Sequence, residues 1–157
     1  MTTTLGRIYY GDTDAGGVVY YASYLRFLEQ GRTEFLRARG FSLRALHERG
    51  YLLLVMRLEI DYLIPAVLDD LIAVETTVEE ITPATCTLGQ KVVRASDGET
   101  LVDARVTLAC LGPGGKARRL PAELTRTLKG DRDAPMAGTA PPSAASLPDT
   151  ASGSDAT

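Results

Sequence analysis

The chain has 157 residues, 45% hydrophobic and 24% charged, with a formal net charge of −3 and a single histidine. That length predicts one domain with enough chain for a real core, in an ordinary globular mix. There is no basic field for nucleic acid, no apolar run approaching a bilayer's thickness and no basic-then-apolar leader in MTTTLGRIYY (1–10), so a cytoplasmic protein without a membrane span is expected.

Residues 4–10 read as a short strand leading into GDTDAGG (11–17). From Ser23 to about Arg39 the period becomes helical, with Tyr24, Leu28, Gly31, Phe35 and Ala38 on one stripe. Arg26, Glu29 and Arg32 stand at i,i+3 spacing along another side, as do Glu34 and Arg37. Ser23 is placed to cap this helix and Gly40 to end it. Glycine is costly inside a helix, so Gly31 in the apolar stripe implies a backbone lying very close to a packed surface. A short second helix runs from Ser42 to about Arg49 and stops at Gly50.

Beyond Gly50 the period falls to two. Strands are expected over 52–63, 71–81, 85–95 and 100–111, with Pro65, PAVLDD, SDGE and GPGG as punctuation. In the last of them Val102, Ala104, Val106, Leu108 and Cys110 alternate with Asp103, Arg105 and Thr107, so one face is buried. One long helix followed by four long strands is an α+β order, most simply an antiparallel sheet wrapped around that helix. Strands this long at a sheet edge are safest when paired across a dimer. Residues 131–157 hold four Asp and one Arg, leaving sixteen of the twenty acids and sixteen of the seventeen bases in a neutral body, 1–130. Rich in Ala, Pro, Ser and Gly, that tail is expected to be disordered.

The chemistry narrows by elimination. His47 is the single histidine and sits among Arg44, Glu48 and Arg49 on a short amphipathic helix, so a Ser–His or Cys–His nucleophile has no placed base. Cys86 and Cys110 stand at no metal-ligand spacing inside strand patterns and read as reduced, buried thiols; no metal or other cofactor is expected. What remains is the aspartate pair, Asp12 and Asp14, on one side of an extended loop ahead of Gly16–Gly17 and a helix start. A carboxylate beside unpaired helix N–H groups can serve acyl transfer, the first as base or nucleophile and the second as oxyanion donors. The same residues can equally make a tight Asx turn and cap.

The stretch YYGDTDAGGVVYYASYLRFLEQGRTEFLR (9–37) resembles the signature of hot-dog-fold acyl-CoA thioesterases, in the branch of 4-hydroxybenzoyl-CoA thioesterase and the YbgC-type proteins associated with the Tol–Pal system. The likeness continues in DYLIPAVLDDLI (61–72), VTLACL (106–111) and KARRLP (116–121), covering about residues 5–128. It implies a hot-dog fold, a long central helix wrapped by a five- to six-stranded antiparallel sheet, in homodimers that join edge to edge and often pair into homotetramers. It further implies an active site between subunits. There Asp14 would attack a small or medium acyl-CoA thioester or activate water, the backbone N–H of Tyr21 would polarise the carbonyl, and Gly16, Gly17 and Val18 would shape the loop. Close relatives of the YbgC type commonly carry Tyr-His-Ala where this chain has Tyr20-Tyr21-Ala22, and other branches carry tyrosine there, a difference that bears on acyl preference and rate.

Coenzyme A enters as part of the substrate. Its phosphates need cations, and Lys116, Arg118 and Arg119, the densest basic cluster, are the first candidates, with Arg57, Arg94 and Arg105 behind them. A hot-dog dehydratase would need a histidine better placed than His47. The other reading is a catalytically weak hot-dog module that binds acyl carrier protein or a cell-envelope (Tol–Pal) complex.

Overall fold

Val102, Ala104, Val106, Leu108 and Cys110 are buried while Asp103 and Arg105 are exposed, as alternation demands of a sheet with one covered face. In this computed structural model, which describes residues 1–134, that face is covered by helices. The elements run β1 (Thr2–Arg7), α1 (Ser23–Arg37), α2 (Leu43–Glu48), β2 (Leu52–Tyr62), β3 (Leu71–Ile81), β4 (Thr85–Arg94), β5 (Thr100–Leu111) and α3 (Ala122–Asp133). The five strands form one antiparallel sheet in the order β1-β3-β4-β5-β2, the α+β architecture expected. Register shifts interrupt β2 between Val55 and Arg57 and β3 between Val78 and Glu80. No helix among the described residues is long and apolar enough to cross a membrane.

Gly31 explains how α1 lies so near the sheet. A Cβ built there would fall 2.5 Å from Cγ1 of Val74, closer than packed atoms can approach, and a tight 3.3 Å from Nε2 of Gln90. Gln90, 1% exposed, donates from Nε2 to the Leu28 carbonyl (2.9 Å) and the Thr76 hydroxyl (3.0 Å). This polar waist stands between two apolar clusters. The first gathers Ile8, Val19, Tyr24, Phe27, Leu28 and Ile72 towards the start of α1; the second holds Phe35, Leu36, Leu46, Leu108, Leu124 and Leu128.

Several boundaries differ from expectation, each for a physical reason. β1 stops at Arg7 because Tyr10–Asp12 turn into a 3-10 helix, closed by the Tyr9 N–H donating to Oδ2 of Asp12 (2.9 Å). Ser23 is the first residue of α1 and makes no cap; the chain enters through a turn in which its N–H donates to the Tyr20 carbonyl. α1 ends at Arg37, leaving Ala38 exposed, while Phe27 and Leu36 join its buried stripe. Arg26 turns back to Asp12 instead of pairing along the helix, whereas Arg37 does bond Glu34 at 3.2 Å. Ser42 caps α2, accepting from the Ala45 N–H.

α3 has no counterpart among the expected elements. It buries Leu124 and Leu128, one turn apart, in the second cluster, and Arg39 reaches from the end of α1 to Asp131. The body thus runs three residues past the expected boundary at 130; the remainder of the predicted tail lies outside the described residues.

Cys86 and Cys110 are both free and buried, and burial pushes the Cys86 thiol up to about 12. An unfolded thiol ionises near pH ~8.5. The folded pKa being the higher one, the contribution of this group to stability is complete below about pH 8.5 and is lost as pH rises towards 12. Neither thiol is expected to react with iodoacetamide at pH 8 in the folded chain, and the urea midpoint should fall between pH 8 and pH 10.

Candidate active site

The loop 11–20 is a closed hairpin. The Asp14 N–H donates to the Val18 carbonyl (2.9 Å), the Gly17 N–H to the Asp14 carbonyl (3.0 Å) and the Tyr20 N–H to the Asp12 carbonyl (2.9 Å). Val18 then bridges to Val67, and the Val19 N–H reaches the Ala66 carbonyl, so the hairpin is sewn to the loop before β3. Gly17 takes φ +78°, a conformation other residues avoid. At Gly16 the constraint is space, since a Cβ would stand 3.1 Å from Oδ1 of Asp14.

The two aspartates do not share a direction, contrary to the extended-loop expectation, because Asp12 lies in the 3-10 turn. Asp12 is 6% exposed, accepts from the Tyr9 N–H and pairs with Arg26, so it is structural. Asp14 is exposed; its Oδ1 accepts from the Gly16 N–H at 2.8 Å, and Oδ2 has no partner among the described residues.

The same hairpin leads directly into Tyr21. Its N–H and that of Ala22 have no partner among the described residues, and they lie at the positive end of α1. The Tyr21 carbonyl is held from another element, accepting from the Tyr62 hydroxyl at the end of β2 (3.0 Å). Beside it opens an apolar pocket of about 180 Å³, lined by Val19, Tyr21, Tyr24, Tyr62, Leu63 and Ile64 with Pro65. Tyr62 stands edge-on to Tyr21, with ring centres 6.3 Å apart, and packs on Tyr24, whose hydroxyl accepts from the Ala66 N–H. Burial raises the pKa of both the Tyr24 and Tyr62 hydroxyls, keeping them protonated. An exposed carboxylate, free N–H donors and an apolar pocket are therefore fixed on one rigid corner.

Residues 9–128, from just ahead of this hairpin to the middle of α3, match the family model of the thioesterase-like superfamily. The chain belongs to that superfamily. It is a thioester hydrolase, and its fold is the hot-dog. Among similar proteins is the acyl-CoA thioesterase YbgC of Haemophilus influenzae, 47% identical over 109 residues that cover 69% of this chain and 79% of that protein. The acyl-CoA thioester hydrolase YbgC of Escherichia coli O6:H1 is 38% identical over 134 residues, 82% of this chain and 99% of that one. A solved probable thioesterase from Bartonella henselae superposes with a TM-score of 0.73 at 36% identity, covering 76% of this chain and 98% of its own.

In this thioesterase the candidate phosphate-binding cluster lies away from Asp14 of the same chain. The Leu101 end of β5 meets Leu63 and Ile64 next to the pocket, whereas Arg118 binds at the Cys110 end, about 30 Å away along the strand. Arg118 donates to the carbonyls of Gly50 (2.9 Å) and Arg49 (3.3 Å) and stacks on Tyr51, so it ties α2 to the segment before α3. Lys116 sits on the glycine turn 112–116 and is exposed. Arg119 faces another groove, with α3. Arg57, Arg94 and Arg105 each have an acid partner, in Glu59, Asp70 with Asp97, and Glu79. No group of three or more His, Cys, Asp or Glu among the described residues could hold a metal. Tyr62 escapes notice in the sequence as one more apolar position of a strand; its phenolic tip at the strand's end is the signal that could have marked it.

Proposed function

We propose that the chain hydrolyses acyl-CoA thioesters with Asp14 as the catalytic carboxylate and the Tyr21 N–H as the oxyanion donor. The observation that carries this is their common anchor: Asp14, pinned by Val18 and Gly16, and the unpartnered Tyr21 N–H belong to one hydrogen-bonded hairpin. The thioester carbonyl oxygen lies against the helix start, and the acyl group enters the pocket beside Tyr24 and Tyr62. Oδ2 of Asp14 takes a proton from water, whose oxygen attacks the carbonyl carbon; alternatively the carboxylate attacks directly and water cleaves the resulting anhydride. Negative charge builds on the carbonyl oxygen, where one well-placed donor is worth about 3–4 kcal/mol. The C–S bond breaks, the thiolate leaves and takes up a proton. A pocket of about 180 Å³ suits a small acyl group. Thiol release from acetyl-, benzoyl- and palmitoyl-CoA tests the reading: turnover should favour the first two, and no turnover on any ester would overturn it.

Tyr62 is a positioning residue in this scheme. Its hydroxyl is the donor that holds the Tyr21 carbonyl, and through it the orientation of the Tyr21 peptide. Tyr62→Phe keeps the ring and removes the bond. It should lower kcat about tenfold while KM and the melting midpoint stay put; a fall in melting midpoint without a change in kcat would make Tyr62 a packing residue only.

The copies are proposed to pair along β2, the edge of the sheet beyond β5. Leu54, Val55 and Met56 on that strand are 43%, 48% and 63% exposed, an apolar edge of the kind that pairs or aggregates. Antiparallel pairing would carry the Leu52 end of one β2 towards the Tyr62 end of the other, and with it the turn bearing Lys116.

A further inference from the structure

A second cavity is larger than the one beside Asp14. A groove of about 500 Å³ runs between α3 and the β3–β4 turn, lined by Ile81, Pro83, Leu120 and Ala122 on its apolar floor and by Arg119, Arg126 and Lys129 on its rim. The walls are fixed: the Leu120 N–H donates to the Pro83 carbonyl (2.8 Å), and the Thr82 and Thr85 hydroxyls bond across the turn.

The acids of α3 bond to cations outside the groove, Glu123 to Arg49, Asp131 to Arg39 and Asp133 to Arg132, although Glu123 still feels Arg126 and Asp133 still feels Lys129 through space. Glu80, the acid nearest along β3, points to the opposite face of the sheet, beside Thr87 and Arg105. Arg119, Arg126 and Lys129 have no ion-pair partner among the described residues. Thr125, in the first turn of α3, lines the same space.

We infer that this groove binds the phosphorylated end of a nucleotide, with the base on the apolar floor and its phosphates between Arg119, Arg126 and Lys129. Its volume lies in the range of small-ligand sites. Two guanidinium forks and an ammonium at one rim suit a pair of separate phosphates better than a single carboxylate. The groove stands at the end of the sheet remote from Asp14 of the same chain. Its nucleotide therefore belongs either to a substrate whose thioester sits in another copy or to a separate molecule; the substrate arm of the test, which separates these, rests on the acyl-CoA reading above, while the binding arm does not.

Adenosine 3′,5′-bisphosphate is the probe, titrated calorimetrically into the full chain. Binding should weaken at least tenfold in Arg126→Gln/Lys129→Gln and should weaken steadily with added salt. Arg132→Gln, on the same helix but already paired to Asp133, should bind as wild type does. Absence of binding, or equal binding by the double variant, overturns the inference. In the second arm KM is measured for acetyl-CoA and acetyl-pantetheine. A rise confined to the CoA ester in the double variant assigns the groove to the substrate's own nucleotide; unchanged KM values beside lost bisphosphate binding assign it to a separate one. Loss of turnover on both esters by wild type would refute the catalytic reading and leave the binding result standing.

Discussion

Asp14→Asn should reduce kcat for thiol release by 10²-fold or more, within the range of about 10²–10⁴ for a lost general base, with folding unchanged. The structure makes this a clean comparison. Asp14 is exposed, and the bond it receives from the Gly16 N–H ends on one oxygen, a role the amide oxygen of Asn fills equally well. The main-chain bonds that close the hairpin, Asp14 N–H to Val18 and Gly17 N–H to Asp14, do not involve the side chain at all. What the substitution removes is the negative charge and the proton-accepting oxygen. Steady-state rates on acetyl-CoA with a melting curve for each protein give the answer. An Asn variant as active as wild type would leave Asp14 a turn residue, and the superfamily's chemistry would have to be sought elsewhere on this corner.

Gly31→Ala is expected to destabilise the chain by about 1–3 kcal/mol, the usual cost of an extra carbon in a packed core. Helix propensity argues the other way, since Ala in a helix interior gains about 1 kcal/mol over Gly. Geometry decides against it. The new carbon would lie 2.5 Å from Val74 Cγ1 and 3.0 Å from its Cβ, and Val74 is a β-branched residue in the middle of β3 with little freedom to turn aside. α1 must then lift, stretching the bond from Gln90 Nε2 to the Leu28 carbonyl. A fall in melting midpoint of roughly 5 °C or more is the expected reading; a midpoint at or above wild type would mean that the helix shifts without cost.

The sheet was legible because its strands alternate: the ends of β3 and β5 fall where the pattern places them, and Gly31 in the apolar stripe implies close helix–sheet contact from the sequence. α3 was not, because its apolar content is two leucines one turn apart among Lys, Arg, Asp and Gly, and those leucines become informative only when the far cluster is there to receive them. The aspartate pair was ambiguous for a related reason. Spacing cannot say that Asp12 is taken by Tyr9 and Arg26, partners three and fourteen residues away, whereas Asp14 faces solvent. Density of charge likewise says nothing of the contacts that Arg118 makes within the chain, to the carbonyls of Arg49 and Gly50 and the ring of Tyr51.

The waist at Gln90 has a consequence for how such a protein can change. It parts the interior into a half that carries the pocket, around Tyr24 and Ile72, and a half that carries α3, around Phe35 and Leu124. The two halves meet at Leu58, which packs on both; residues of the two that are distant and do not touch it combine nearly additively. Substitutions that remodel Val19, Tyr24 or Ile64 to admit a different acyl group can therefore be tolerated on stability supplied by the distant half. The fold divides its labour: one end can drift with the substrate while the other serves as ballast.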